Sequence, residues 1–234
     1  MAVEAVIFDW GGTLTPWLNF DGRGWWRIAA KLVPPDEAER VGALLHAAEE
    51  EIWRRSRVEH LSGTLAEVFV AGGLTDHEAA YAAHDAEWEP ATFTDPDALG
   101  LLEGLRKRSV RVGVLSNTAW TRARHQQIFV RDGIDHLIDG AVYTSEIPWT
   151  KPHPEAFRAA MAAVGATDPA RCVYVGDRPF EDIHGARNAG MRAVLVPNSE
   201  IPAGERVAVE VQPDGIAYRL LDVLDLVDGW SKQA

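Results

Sequence analysis

Five short valine-rich runs constrain this chain more than any other feature: "AVIF" near residue 5, "VRVGVLS" near 110, "DGAVYT" near 140, "CVYVGD" near 172 and "RAVLVP" near 192. Each has strand length and a β-branched composition. Helical patterns separate them. "PEAFRAAMAAVG" puts Phe157, Ala160, Met161 and Val164 on one stripe between Pro154, a good first helical residue, and Gly165, a good stop. "TDPDALGLLEGLRKR" has Pro96 near its start, turns Leu101, Leu102 and Leu105 inward and ends in Arg106, Lys107 and Arg108, which complement a helix C-terminus. Strands alternating with helices need crossover connections. The chain is therefore expected to form an α/β fold, a doubly wound and mainly parallel sheet with helices on both faces.

The alternation breaks between residues 16 and 94. That stretch is strand-poor, carries Trp17, Trp25, Trp26, Trp53 and Trp88, and contains the helical run "DEAERVGALLHAAEEEIWRR". It predicts a helical unit inserted after the first strand, with residues 1–15 and 95–234 forming the α/β core.

A length of 234 residues is ample for a buried core. A formal charge of -12 argues against a nucleic-acid groove and against an anionic membrane surface, so no nucleic-acid or membrane partner is expected. No uninterrupted apolar stretch reaches about 18 residues and the N-terminus lacks a leader pattern, which predicts a soluble, cytoplasmic protein. The single cysteine, Cys172, has no partner for an internal disulfide and reads as a small buried hydrophobe. Nothing in the sequence fixes an oligomeric state.

In a doubly wound sheet, ligands bind beyond the carboxyl ends of the strands. The residues found there are Asp9, Ser116 with Asn117, Lys151, and Asp177 with Asp182. A hard divalent cation such as Mg²⁺ takes oxygen ligands from one or two carboxylates and from substrate phosphate. Without a cation or the Lys151 amine, carboxylates brought together repel and tend to hold a proton. A small anionic substrate is the partner this set of groups suits.

The segments "FDWGGTLT", "VLSNT", "TKPHPEAF" and "VGDRPFEDIHGARNAGM" resemble, in order and spacing, the four motifs of the haloacid dehalogenase-like (HAD) hydrolase superfamily. The resemblance covers residues 3–15 and about 95–200, and the insertion falls where that family carries a helical cap. It implies that Asp9 is the nucleophile that forms an aspartyl-phosphate and that Ser116, with its neighbour Asn117, contacts the phosphoryl group. Lys151 would neutralise charge on Asp9 and the substrate. Mg²⁺ would be held by Asp9, the backbone carbonyl of Gly11 and Asp177, with Asp182 supporting the metal shell.

One departure stands out. Family phosphatases carry a second aspartate two residues after the nucleophile, which protonates the leaving oxygen; here that residue is Gly11. General acid–base catalysis is worth about 10²–10⁴-fold. Three chemistries are compatible with its loss. One is a Mg²⁺-dependent phosphohydrolase whose proton comes from elsewhere, for example from His46, His60 or His84, all of which read as surface histidines. Another is a carbon-centre enzyme, a dehalogenase or a phosphonate hydrolase with Lys31 as Schiff-base amine. Asp177 argues against the dehalogenase, which lacks it. The third is a binding module that has lost its chemistry. A left-handed backbone at Gly11 would be a further reason for glycine. Trp17, Trp25 and Trp26 could wall a pocket or fill the insertion's core, and Arg54, Arg55 and Arg57 are expected in surface i,i+4 pairs.

Overall fold

The computed structural model describes residues 2–18, 21–197 and 207–232. Residues 19–20 of the insertion, and 198–206 and 233–234 of the core segment, lie outside the described residues. Six parallel strands form one sheet: β1 (Ala5–Phe8), β2 (Arg111–Ser116), β3 (Gly140–Tyr143), β4 (Cys172–Gly176), β5 (Arg192–Leu195) and β6 (Gly215–Ile216). Their order is β3-β2-β1-β4-β5-β6. The first five are the five valine-rich runs. The sixth, only two residues long, has no apolar run to announce it.

Every central strand is covered twice. Val6, Phe8, Val112, Val114, Val173 and Val175 point into one layer of core, with Leu101, Leu102 and Leu105 of α5 (Ala98–Lys107), Ile128 and Phe129 of α6 (Arg122–Arg131), and Val223 and Val227 of α9 (Asp222–Lys232). Ala5, Ile7, Leu115, Cys172 and Tyr174 point into the other, with Phe157, Ala160 and Met161 of α7 (Pro154–Ala163) and Ala186 of α8 (Gly185–Asn188). Neighbouring residues of a strand thus alternate between two dry layers, so a one-residue slip would exchange the layers. Helix α7 begins with Pro154 at its first turn, and Gly165, at φ +67°, follows its last residues. Cys172 is fully buried, and burial pushes its thiol up to about 11, as befits an inert core residue.

Four helices lie between β1 and α5: α1 (Gly24–Leu32), α2 (Pro35–Glu59), α3 (Leu65–Ala71) and α4 (His77–Trp88). Among the described residues of this stretch there is no strand, only the isolated bridges Gly11–Thr15 and Leu61–Trp149. A reciprocal Thr64–Glu67 capping box starts α3, and Asp76 caps α4. Trp25, Ile28, Leu45, Val68 and Phe69 form a core of their own. The two ends of the stretch meet: Thr15 Oγ1 donates to Phe93 O at 2.6 Å, and Asp95 N to Leu14 O at 2.8 Å. No helix among the described residues is long and apolar enough to cross a membrane.

Two side-chain expectations for this region need correction. His84 is fully buried rather than on the surface, its ring against Trp25, Trp88 and Trp120, and burial lowers its pKa below the ordinary value. The helix face that holds it is lined by aromatic rings, which a period count does not reveal. The arginine pairs are not i,i+4: Arg54 bonds Glu51 and Glu59, and Arg55 bonds Glu67 of α3. Trp25 and Trp26 donate to Glu49 and Glu39 within the inserted helices, whereas Trp17 does not join them.

Candidate active site

Strand β1 sits between β2 and β4, where successive connections part to opposite sides of the sheet, and such a switch point opens a crevice at the strands' carboxyl ends. Asp9 follows β1 directly and its N–H is held by Val175 O at 2.8 Å. Asp177 follows β4, Ser116 ends β2, and both are buried. One oxygen from each of Asp9, Asp177 and Asp182 lies within 4.8 Å of the other two.

Lys151 enters this group from the loop before α7 and is 2% exposed. Its ammonium donates to Asp9 Oδ1 at 2.8 Å, Asp182 Oδ1 at 2.7 Å and the Tyr174 hydroxyl at 2.9 Å. Three donors meet three acceptors, so the ammonium is satisfied without water. The Tyr174 hydroxyl in turn donates a hydrogen bond to Leu115 O at 3.0 Å. Burial opposes the lysine's charge, but Asp182 and Asp9 outweigh it and hold the ammonium above its ordinary pKa.

The backbone of Lys151 is clamped as well. Asn117 Oδ1 accepts from Lys151 N at 2.8 Å, and Asn117 Nδ2 donates to Lys151 O at 3.1 Å. The Asn117 amide is therefore turned to Lys151, which makes it a positioning group. Asp182 is spent similarly: besides Lys151, it accepts from Arg178 N at 2.9 Å through Oδ2. It reaches this position from a π-helical turn, Pro179–His184, that absorbs an extra residue ahead of α8. Gly176 makes room, since a Cβ there would collide with the Asp182 carboxylate.

Against one ammonium stand three buried carboxylates. Asp9 shows the consequence: burial, with repulsion from Asp182 and Asp177 and only partial relief from Lys151, pushes it up to about 7. Oxygen donors with excess negative charge, and none of nitrogen or sulfur, fit a hard divalent cation. Both Asp182 oxygens accept from Lys151 and Arg178 N, and Asp9 and Asp177 stand beside them as residues that could hold such a cation.

The glycine pair divides its duties differently from expectation. Gly12, not Gly11, holds the left-handed backbone, at φ +84°. A Cβ on Gly12 would overlap Trp17 Nε1 and Asp177 Oδ2, whereas one on Gly11 would meet nothing within 4 Å. Glycine at residue 11 therefore answers to no steric need. One residue near this crevice escaped sequence reasoning. Tyr174 is hidden in the apolar run "CVYV"; its hydroxyl in mid-strand was the available signal. Trp17 donates its indole N–H to Asp177 Oδ2 at 2.9 Å, across 160 residues of chain. Its partner could not be read from sequence. His60 is half-buried beside Phe180, and Lys31 is half-exposed and paired with Glu87.

Known proteins of similar sequence or fold carry the names of phosphatases and of dehalogenases. The chain is 38% identical over 127 residues to glyceraldehyde 3-phosphate phosphatase of Methanothermobacter thermautotrophicus, a match that covers 54% of each chain, so it spans about half that relative's length. It is 28% identical over 207 residues to Phosphatase MT3486 of Mycobacterium tuberculosis, over 85% of this chain and 89% of that one. Among solved structures, a HAD phosphatase from Thermococcus onnurineus superposes with a TM-score of 0.67 at 21% identity, and a 2-haloacid dehalogenase from Pseudomonas syringae with 0.65 at 22%; each match covers 97% of this chain and 99% of the other. The shared fold does not separate the two chemistries. A family model described as haloacid dehalogenase-like hydrolase matches residues 3–190, and on that match the chain belongs to this family.

Proposed function

We propose that this chain is a Mg²⁺-dependent phosphohydrolase acting on a small phosphorylated metabolite, with residues 16–94 as a helical cap over the site. The observation that carries the reading is Asp9 held by Lys151 at 2.8 Å while Asp177 stands beside it as a second buried carboxylate. Asp9, Asp177 and the Gly11 carbonyl would hold the cation, which supplies positive charge opposite the phosphoryl oxygens. An Asp9 carboxylate oxygen attacks phosphorus, the bond to the leaving oxygen breaks, and water then hydrolyses the aspartyl-phosphate. Ser116 donates to a phosphoryl oxygen. Lys151 offsets negative charge as it develops, and Asn117, Asp182 and Tyr174 keep it in place.

Without an acid at residue 11, the leaving oxygen takes its proton from solvent or from the substrate, which favours substrates with good leaving groups. Relatives named glyceraldehyde 3-phosphate phosphatase and phosphoserine phosphatase support the phosphate-ester class. The Schiff-base alternative loses ground because such a lysine is activated by desolvation, and Lys31 is half-exposed and ion-paired.

The test is a panel of phosphate esters, phosphonates and haloacids, each with Mg²⁺ and with chelator. Phosphate release that requires metal supports the proposal. Haloacid turnover in chelator would replace it with carbon-centre chemistry, and inactivity on every class would leave a binding module.

A further inference from the structure

We infer that Trp17 is a positioning residue that sets the affinity of the carboxylate site for its divalent cation by fixing Asp177. The inference rests on the proposed metal reading of Asp177 and goes beyond it by naming the group that orients the ligand. Three observations carry it. The indole N–H donates to Asp177 Oδ2 at 2.9 Å, which commits one oxygen and fixes the carboxylate's rotation. The Gly12 backbone, at φ +84°, presses so close that a Cβ there would overlap both Trp17 Nε1 and Asp177 Oδ2. The Arg178 guanidinium lies 5.1 Å from the centre of the Trp17 ring. The indole is thus held at its edge and against its face.

Its surroundings argue against a mere packing role. Trp17 is half-buried and lines an open cavity of about 320 Å³ with Thr13, Asp95, Tyr218 and Arg219. A tryptophan kept for core volume is enclosed, as Trp25 is. Trp17 also lies where the chain leaves the core for the inserted helices, so cation affinity is tied to the path of that segment.

Partners that orient a metal ligand typically change metal affinity by about 10–100-fold when removed. Trp17→Phe keeps a ring and loses the donor. Calorimetric Mg²⁺ titration should show its dissociation constant raised by about 10–100-fold, with Trp25→Phe, which loses an indole bond to Glu49 inside the inserted helices, unchanged. In the unaltered protein, the Trp17 indole N–H resonance should move during the same titration, with the same half-saturation. Equal Mg²⁺ affinity in Trp17→Phe and the unaltered protein would overturn the inference, as would an unmoved indole resonance. Mg²⁺ binding that is absent from the unaltered protein would instead remove the metal reading itself, and this inference with it.

Discussion

Replacing Gly11 with Asp tests whether the site lacks only its acid. The structure prices the substitution low: a Cβ at residue 11 meets nothing within 4 Å, and the left-handed backbone belongs to Gly12. A glycine replaced where its backbone suits other residues gains about 0.4–1 kcal/mol through the unfolded state. Against this, a further carboxylate joins Asp182 and Asp177, whose repulsion adds to the burial that pushes Asp9 up to about 7, so the gain is offset until a cation binds. Stability is therefore expected to stay within about 1 kcal/mol of the parent in Mg²⁺, measured by urea unfolding. The catalytic gain depends on the leaving group. For an alkyl phosphate, whose alkoxide leaves poorly, kcat/KM should rise by up to about 10²–10⁴-fold. For an aryl phosphate with an acidic phenol the rise in the first step should be far smaller. A folded, Mg²⁺-competent variant with no selective gain on the alkyl ester would refute the reasoning, because the proton would then come from another group or the ester would not be the substrate.

Asp9→Asn should abolish phosphate release while leaving the circular dichroism spectrum unchanged, since the amide matches the carboxylate in shape and is a poor nucleophile; a folded variant with more than a few per cent of activity would defeat the assignment. Lys151→Met should cost about 3–5 kcal/mol at neutral pH by leaving Asp9 and Asp182 buried without their ammonium, and part of that loss should return as pH falls and Asp9 protonates; a pH-independent loss in urea titrations would contradict this. His125 is held neutral, pushed down to about 4 by burial beneath Tyr143 and Trp10. Its folded pKa lies below the unfolded 6.5, so its contribution is present above about pH 6.5 and is lost as pH falls towards 4, by about 2 kcal/mol between pH 7.5 and 5. In His125→Phe that share of the pH dependence should vanish, and matching pH profiles of unfolding free energy would refute it.

What could be read from the sequence, and what could not, divides along physical lines. A strand buried on both faces must be apolar at every position, so five strands announce themselves as valine-rich runs, while β6, two residues long, leaves no such trace. Residues at strand ends share one edge of a parallel sheet, so Asp9, Ser116 and Asp177 could be gathered before any coordinates existed. Side-chain direction could not. The amide of Asn117 turns to the Lys151 backbone, and Asp182, expected to support the metal shell, accepts from Lys151 and Arg178 N; neither set of partners could be read from the sequence. Five tryptophans of the insertion were equivalent as composition, yet Trp25 is core and Trp17 meets Asp177, because a hydrogen bond across 160 residues depends on where two loops end. Which of Gly11 and Gly12 must be glycine was likewise not legible; the backbone angle and the space around each Cβ position separate them.

Among the described residues, hydrogen bonds link the inserted stretch to the candidate site or to residues beside it. Trp17, on the way out of the core, is bonded to Asp177. Leu65 N, at the start of α3, donates to Ala119 O at 3.0 Å, two residues beyond Asn117. The end of α2 docks on the residues that precede Lys151: Ser56 Oγ donates to Thr150 Oγ1 at 3.1 Å, Thr150 N to His60 O at 2.9 Å and Ser62 Oγ to Ile147 O at 2.6 Å. Thr150 is buried and covalently next to the lysine whose three donors are all committed. Lifting α2 from the core would break these bonds together and pull on the backbone that Asn117 clamps. The end of α2 and the backbone of Lys151 are therefore linked by hydrogen bonds through Thr150, the residue next to the lysine that holds Asp9.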